Sequence, residues 1–236
     1  MGESFEDRDL SEATFWGVDL HGAHFRDVNF TNATMRNVWL VNVDIDARIE
    51  HVVINGVDVT QYVNERDPWY PLRAMLRPAD PDGMRRAWSE LENVWGETID
   101  WARTLTEAKV HESVDGEWSF VQTLRHLVFA LDKWFTVPIL GAQFHPIVLP
   151  NSGSDGLDWP GRDHGADPSF TETVEVHAER VARVRAYLAS VTERDVETTV
   201  DVLENGTVPI RECLYTVFEE EFEHNRYATR DLAELA

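Results

Sequence analysis

A glutamate and a histidine stand four residues apart in the segment FEEEFEHNRYATRDL, at Glu220 and His224. Read at helical spacing, the apolar stripe of this segment runs Cys213, Val217, Glu220, His224, Tyr227 and Ala228, so the pair occupies two successive core-facing positions. Residues four apart on a helix have β-carbons about 6 Å from each other. A carboxylate oxygen and an imidazole nitrogen can therefore reach one ion, and both are proper ligands for zinc or another divalent first-row metal. Burying a carboxylate without a partner is costly. The competing reading of such a pair is a surface ion pair or a satisfied core histidine. Glu219, Glu221 and Glu223 need no special explanation, because runs of charge are usually solvated faces.

A third ligand must come from another helix, and His126 is the best candidate. It lies in TLRHLVFALDKW, the most apolar stretch of the helical region. Leu124, Leu127, Val128, Leu131 and Phe135 form one face there, and His126 points well away from it. It reaches the interior only if that helix is buried on two sides. The lone cysteine, Cys213, excludes an internal disulfide framework and metal sites built on several cysteines. Its spacing fits a small buried hydrophobe. No glycine-rich phosphate loop, Ser/His/Asp order or zinc-finger spacing is present.

Four helical stretches position these residues. The first runs from about Pro81 to Leu105, with Met84, Trp88, Leu91, Trp95, Ile99 and Ala102 in register. The second opens at Ser119, where Ser119 and Gln122 match a capping box, and stops near Pro138. The third begins near Asp167-Pro168, with proline as a first-turn residue, and extends to about Val191. The fourth follows Thr207-Val208-Pro209 and runs to about Leu232. Between the second and third lies a Gly- and Pro-rich loop, 141–166, too long for a plain hairpin in a bundle. A crossover of that length places those two helices side by side in the same direction.

The N-terminal part has a different period. From Leu10 a large apolar residue recurs at every fifth position: Phe15, Leu20, Phe25, Phe30, Met35, Leu40 and Ile45. A small or branched residue stands two places before each from the second onward, and a shifted pattern resumes at Ala47/Ile49, Val52/Ile54 and Val57/Val59. Five suits neither helix nor flat strand; it suits a square coil whose sides turn their central residues inward. This segment, about 8–62, resembles the pentapeptide-repeat family, which implies a right-handed quadrilateral β-helix. A short solenoid has few neighbours to stack on and needs caps. The organisation expected is thus mixed: a repeat β-helix over 1–64, a proline-rich linker and docking strap over 65–79, and an all-α four-helix bundle over 80–236.

With 236 residues, 43% of them hydrophobic, and nine tryptophans, the chain can bury a real core. Its formal charge of −22 disfavours nucleic acid and anionic membrane surfaces. No apolar run approaches the roughly 20 residues of a membrane span, and the acidic first residues are unlike a signal peptide. A cytoplasmic protein is expected.

Trp118-Ser119 opening the second helix, His126-Leu127 within it, and Glu220-x-x-x-His224 in the last together resemble the DinB-like superfamily. That superfamily includes mycothiol-dependent maleylpyruvate isomerase and related thiol transferases. The resemblance implies His126, Glu220 and His224 as ligands of a divalent metal, zinc or nickel. It further implies a low-molecular-weight thiol as cosubstrate and an electrophile as its acceptor. Two histidines and a carboxylate leave an open position on the ion, as catalytic sites do. His145 and His164 in the long loop could line the site or substitute as ligands. Arg125 and Arg226 could bind a carboxylated thiol, and Trp118 could stack on substrate. Asp132 and Arg230-Asp231 are candidates for supporting polar contacts. The alternative function is a non-catalytic interaction protein using the acidic repeat surface, with a vestigial or structural metal site. Residues 1–64 carry eleven acids and four bases, a mild excess for a nucleic-acid mimic. A rigid cap or a homodimerising surface is the plainest role for the repeats.

Overall fold

The structure, a computed structural model, describes all residues except 1, 2, 6, 7, 27, 152, 153, 155 and 157–160. Parts of the long loop expected over 141–166 therefore lie outside the described residues. Two compact units divide the chain, residues 1–49 and residues 50–236.

In the first unit the backbone turns a corner at a period of five. Glu12, Gly17, Gly22, Asn32, Asn37 and Asn42 all have left-handed φ, between 54° and 70°. Asp9, Asp19 and Asn29 accept from the backbone N–H two residues on, at 2.9, 3.0 and 2.8 Å, which is how Asx residues stabilise turns. Ala13, Ala23 and Ala33 close the same corners by donating to the carbonyls of Leu10, Leu20 and Phe30. The sequence period and the backbone period thus agree. The inward-facing core does not follow. The central residues stay half exposed, from Leu10 at 47% to Ile45 at 67%, and no described residue of this unit is assigned to a strand. A coil this short stacks few layers, so most central side chains keep an uncovered side.

The shifted repeat expected beyond residue 50 is instead a hairpin, β1 (Val53–Ile54) paired antiparallel with β2 (Val57–Asp58). Its Asn55-Gly56 turn has φ 52° and 84°, the left-handed pair that a two-residue hairpin needs. Short helices α1 (Thr60–Asn64) and α2 (Tyr70–Arg73) follow.

The bundle begins with α3 (Pro81–Ala102), whose start is fixed by the Asp80 carboxylate accepting from Gly83 N at 2.6 Å. After the single turn α4 (Glu107–Val110) comes α5 (Phe120–Leu131), with both halves of the expected capping box formed by Ser119 and Gln122. It continues through a π-helical turn, Asp132–Thr136. Helix α6 (Phe170–Leu188) is capped by the Ser169 hydroxyl, so Pro168 precedes the cap and is not a first-turn residue. A further turn α7 (Glu193–Val196) and a hairpin, β3 (Thr199–Val202) with β4 (Gly206–Pro209), lead into α8 (Ile210–Leu235).

Contacts along the helices fix their directions. Trp88 meets Phe218 and Trp95 meets the Glu221 carbonyl, so α3 and α8 are parallel. Phe120 meets Phe170 and Asp132 meets Arg180, so α5 and α6 are parallel too, as the long crossover requires. Arg85 reaches the Leu188 carbonyl and Trp95 the His177 ring, making α3 and α6 antiparallel. One apolar cluster fills the end of the bundle around Trp88, Leu131, Leu188 and Phe218. Another fills the opposite end around Trp95, Phe120, Leu124 and Leu232. Ten of the twelve residues of α5 are buried. That burial on several sides removes the difficulty with His126, which is 3% exposed despite lying off the main apolar face.

Candidate metal centre

Glu220, His224 and His126 converge between α5 and α8. Each offers one ligand atom, and the three atoms lie within 4.8 Å of one another. His126 Nε2 is 3.4 Å from Glu220 Oε2, and His224 Nδ1 is 3.4 Å from the same oxygen. The convergence of His126 with the pair depends on a second element. His126 Nδ1 donates to the carbonyl of Leu149 at 3.0 Å, and because a carbonyl can only accept, the Nε2 lone pair is left facing Glu220. His224 Nδ1 likewise lies 2.9 Å from the Glu220 carbonyl, one turn back on its own helix.

Residues 147–149 are pinned beside α5 at two further points. Leu149 N donates to the Arg125 carbonyl at 3.2 Å, and Arg125 Nε donates to the Ile147 carbonyl at 2.8 Å. Arg125 therefore does not face the cluster with its charge. Its role here is to hold the strand of loop that orients His126.

Charge in the cluster is set by burial and by the three groups acting on one another. Burial would raise the Glu220 carboxyl, but the neighbouring His126 and His224 imidazoles and the Lys133 ammonium outweigh it and hold it below the ordinary value. Burial pushes the His224 imidazole down, helped by His126 and only partly opposed by Glu220. A carboxylate held toward its ionised form beside the His224 imidazole, held toward its neutral form, suits the donor set that a divalent first-row ion requires.

The remaining candidates separate cleanly. Trp118 covers one wall: its ring lies 4.5 Å from the His126 ring and stacks on His224 at 6.2 Å. Tyr227 packs edge-on against His224 from its own helix at 6.2 Å, with the Arg230 guanidinium 5.5 Å from its ring and Asp231 bound to Arg230 at 2.7 Å. Arg226 is ion-paired to Glu223 at 2.6 Å and lies 5.7 Å from the Phe222 ring, so it is not part of the cluster. His145 belongs to a different place, a groove it lines with Glu175, Val176, Glu179 and Arg180. Its backbone N–H donates to Asp132 at 2.7 Å. Asp132 also pairs with Arg180 of α6 at 2.8 Å, making it the helix-to-helix polar contact that the sequence allowed. His164 is exposed and outside the ligand group. Cys213 is fully buried, as expected.

Three participants were not singled out in the sequence. One is the Leu149 carbonyl, a backbone group that carries no residue-type signal. Another is Glu221, which was grouped with the solvated acids but is 1% exposed and bound to His177 of α6 at 3.0 Å. The last is Lys133, in the π-helical turn seven residues after His126, whose charge acts on Glu220.

An antiparallel α5–α8 pair carrying two histidines and a glutamate defines a four-helix bundle with a candidate divalent-metal site. The family model of the DinB superfamily matches residues 90–228, which contain all three candidate ligands, and the chain belongs to that superfamily. A pentapeptide-repeat model matches eight copies over residues 9–45. No curated protein and no solved structure matches the chain. No helix among the described residues is long and apolar enough to cross a membrane.

Proposed function

We propose that His126, Glu220 and His224 hold a divalent metal, zinc or nickel, and that the protein is a thiol S-transferase-like enzyme of the cytoplasm. The observation that carries this reading is the convergence of three donor atoms within 4.8 Å, with His126 held in one tautomer by a backbone carbonyl. When bound, such an ion lowers the pKa of a thiol and makes thiolate available at neutral pH. Membership of the DinB superfamily supports metal dependence. The cosubstrate supplies the sulfur, since Cys213 is buried and its thiol is pushed up to about 11 by burial. Trp118 shields the histidine rings from water on one side. The repeat segment is read as a short right-handed quadrilateral coil.

Metal content of the purified protein after supply of zinc or nickel tests the foundation. The wild type is expected to bind one divalent ion, and Glu220→Ala/His224→Ala none. If the wild type takes up no metal, the enzyme reading fails. A screen of the loaded protein against pairs of small thiols and electrophiles then tests the reaction class. The second reading, a non-catalytic interaction protein, draws on Trp16 and Trp39, which are 91% and 90% exposed in the repeat unit. Partner binding lost in Trp16→Ala/Trp39→Ala, with no thiol transfer by the loaded wild type, would favour it.

A further inference from the structure

Lys133 follows His126 by seven residues, in the π-helical turn that continues α5. The Phe129 ring stands between them: its centroid is 5.9 Å from the His126 ring and 5.9 Å from Lys133 Nζ. Helical side chains lean toward the N-terminus, so the ammonium reaches back toward the cluster. The lysine charge is among those that hold Glu220 ionised.

The partners of Lys133 leave a buried cation with an acid that is open to solvent. Nζ donates to Glu204 Oε1 at 2.6 Å and to Ser154 Oγ at 3.2 Å, and Ser154 Oγ donates to the same Glu204 oxygen at 3.0 Å. The lysine side chain is 7% exposed, but the glutamate is 39% exposed. In the nearby Arg180–Asp132 pair the side chains are 7% and 0% exposed, and only the second partner of Arg180, Glu179 at 46%, opens to solvent. Glu204 sits at the tip of the β3–β4 hairpin, next to Leu203, whose φ of 36° is in the left-handed region that a branched side chain disfavours. A buried cation is thus satisfied by an acid that is open to solvent and held on a strained tip.

We propose that Lys133 is the subsite for a carboxylate on the thiol substrate, and that Glu204 occupies this subsite until the substrate carboxylate displaces it. This rests on the thiol-transferase reading and deepens it. It moves the anion-recognising role from Arg125 and Arg226, whose guanidiniums serve Ile147 and Glu223, to a lysine that shares the Phe129 ring with His126. The substrate class is a small thiol with its carboxylate several bonds from sulfur.

The test compares 6-mercaptohexanoate with 6-mercaptohexanol, its neutral counterpart of equal length, by calorimetric titration of zinc- or nickel-loaded protein. The wild type is expected to bind the carboxylate thiol about 10-fold tighter, the value of one charge-assisted hydrogen bond. Lys133→Met should abolish that preference while leaving the affinity for the alcohol unchanged, and Lys133→Arg should retain it. Glu204→Gln should increase the preference severalfold, because the competing charge is gone. A purely structural pair would instead make both Lys133→Met and Glu204→Gln deleterious. Equal binding of the two thiols by the wild type, a preference that survives Lys133→Met, or a preference lowered by Glu204→Gln would overturn the inference alone. Binding of neither thiol would overturn the thiol-transferase reading and this inference with it.

Discussion

Glu220 and Glu221 are neighbours on α8, and each carboxylate faces histidine, yet the two environments differ in kind. Glu221 is 1% exposed and bonded to His177, itself 2% exposed, in a layer where Trp95 also donates to the Glu221 carbonyl and Asn225 to Thr98. Donors and acceptors there find each other across α3, α6 and α8, with the Asn225 Oδ1 the one buried polar atom of the layer left without a partner. Glu220 is 28% exposed, and one of its oxygens lies 3.4 Å from both His126 Nε2 and His224 Nδ1. The other nitrogen of His126 is already committed to the Leu149 carbonyl, while His224 Nδ1 also lies 2.9 Å from the Glu220 carbonyl. A closed polar layer satisfies itself, whereas an open cluster with lone pairs aimed at a common point is satisfied by something that arrives from outside. One residue of helical rotation separates a stability element from a binding element.

Breaking the closed layer has the largest expected effect. Glu221→Ala leaves His177 buried without its partner, and removal of one member of a buried pair costs about 3–5 kcal/mol. Urea unfolding of metal-free protein should show that loss, while any fraction that folds should bind metal as the wild type does. Glu220→Gln should do the reverse. Metal affinity should fall by more than the roughly 100-fold upper range for loss of a supporting partner, with metal-free stability unchanged to within about 1 kcal/mol. A destabilised Glu220→Gln that still binds metal would erase the contrast.

Cys213 extends the closed side of the comparison two turns toward the start of α8. Burial pushes its thiol from the ordinary 9.0 up to about 11. Above pH 9 the unfolded chain loses this proton while the folded chain keeps it, so the stabilising contribution is present below 9 and is lost as pH rises toward 11. Two units correspond to about 2–3 kcal/mol. The urea midpoint should fall over that window, and Cys213→Ala should flatten the fall. Iodoacetamide should leave the native thiol unmodified at pH 8.

The difference between the two glutamates was only half legible in the sequence. Glu220 and His224 were visible because both fall on the apolar stripe, and the capping box at Ser119 and Gln122 announced the helix that brings His126. Glu221 looked solvated because a single narrow stripe was assumed, whereas α8 packs against α3 on one side and α5 on another and buries a broad face that includes Leu214, Phe218, Glu221 and Asn225. The left-handed corners of the repeat unit followed from its period, but the openness of its central residues did not, because burial depends on how many layers stack. The hairpin at Asn55-Gly56 was hidden by apolar alternation that fits a coil and a strand alike. The His126 tautomer could not be read at all, since it is set by a main-chain carbonyl in a loop.

That carbonyl gives the smallest effect and the finest test of the open cluster. Arg125 touches none of the candidate ligands; its Nε holds the Ile147 carbonyl, two residues before the Leu149 carbonyl that accepts from His126. Arg125→Ala frees this strand of loop on one side, although Leu149 N still bonds the helix backbone. His126 Nδ1 then keeps its acceptor for only part of the time, and the ring no longer presents Nε2 continuously to Glu220. Metal affinity should fall about 10-fold, the lower range for losing an orienting partner, with Arg125→Lys recovering part of it. The same substitution should leave unfolding of the metal-free protein nearly unchanged, because the closed layer around Glu221 is untouched. Cobalt loading provides the discriminating measurement: a shifted visible spectrum in Arg125→Ala reports a reoriented ligand, whereas an unchanged spectrum with unchanged affinity would show that the Leu149 carbonyl holds its place without the arginine.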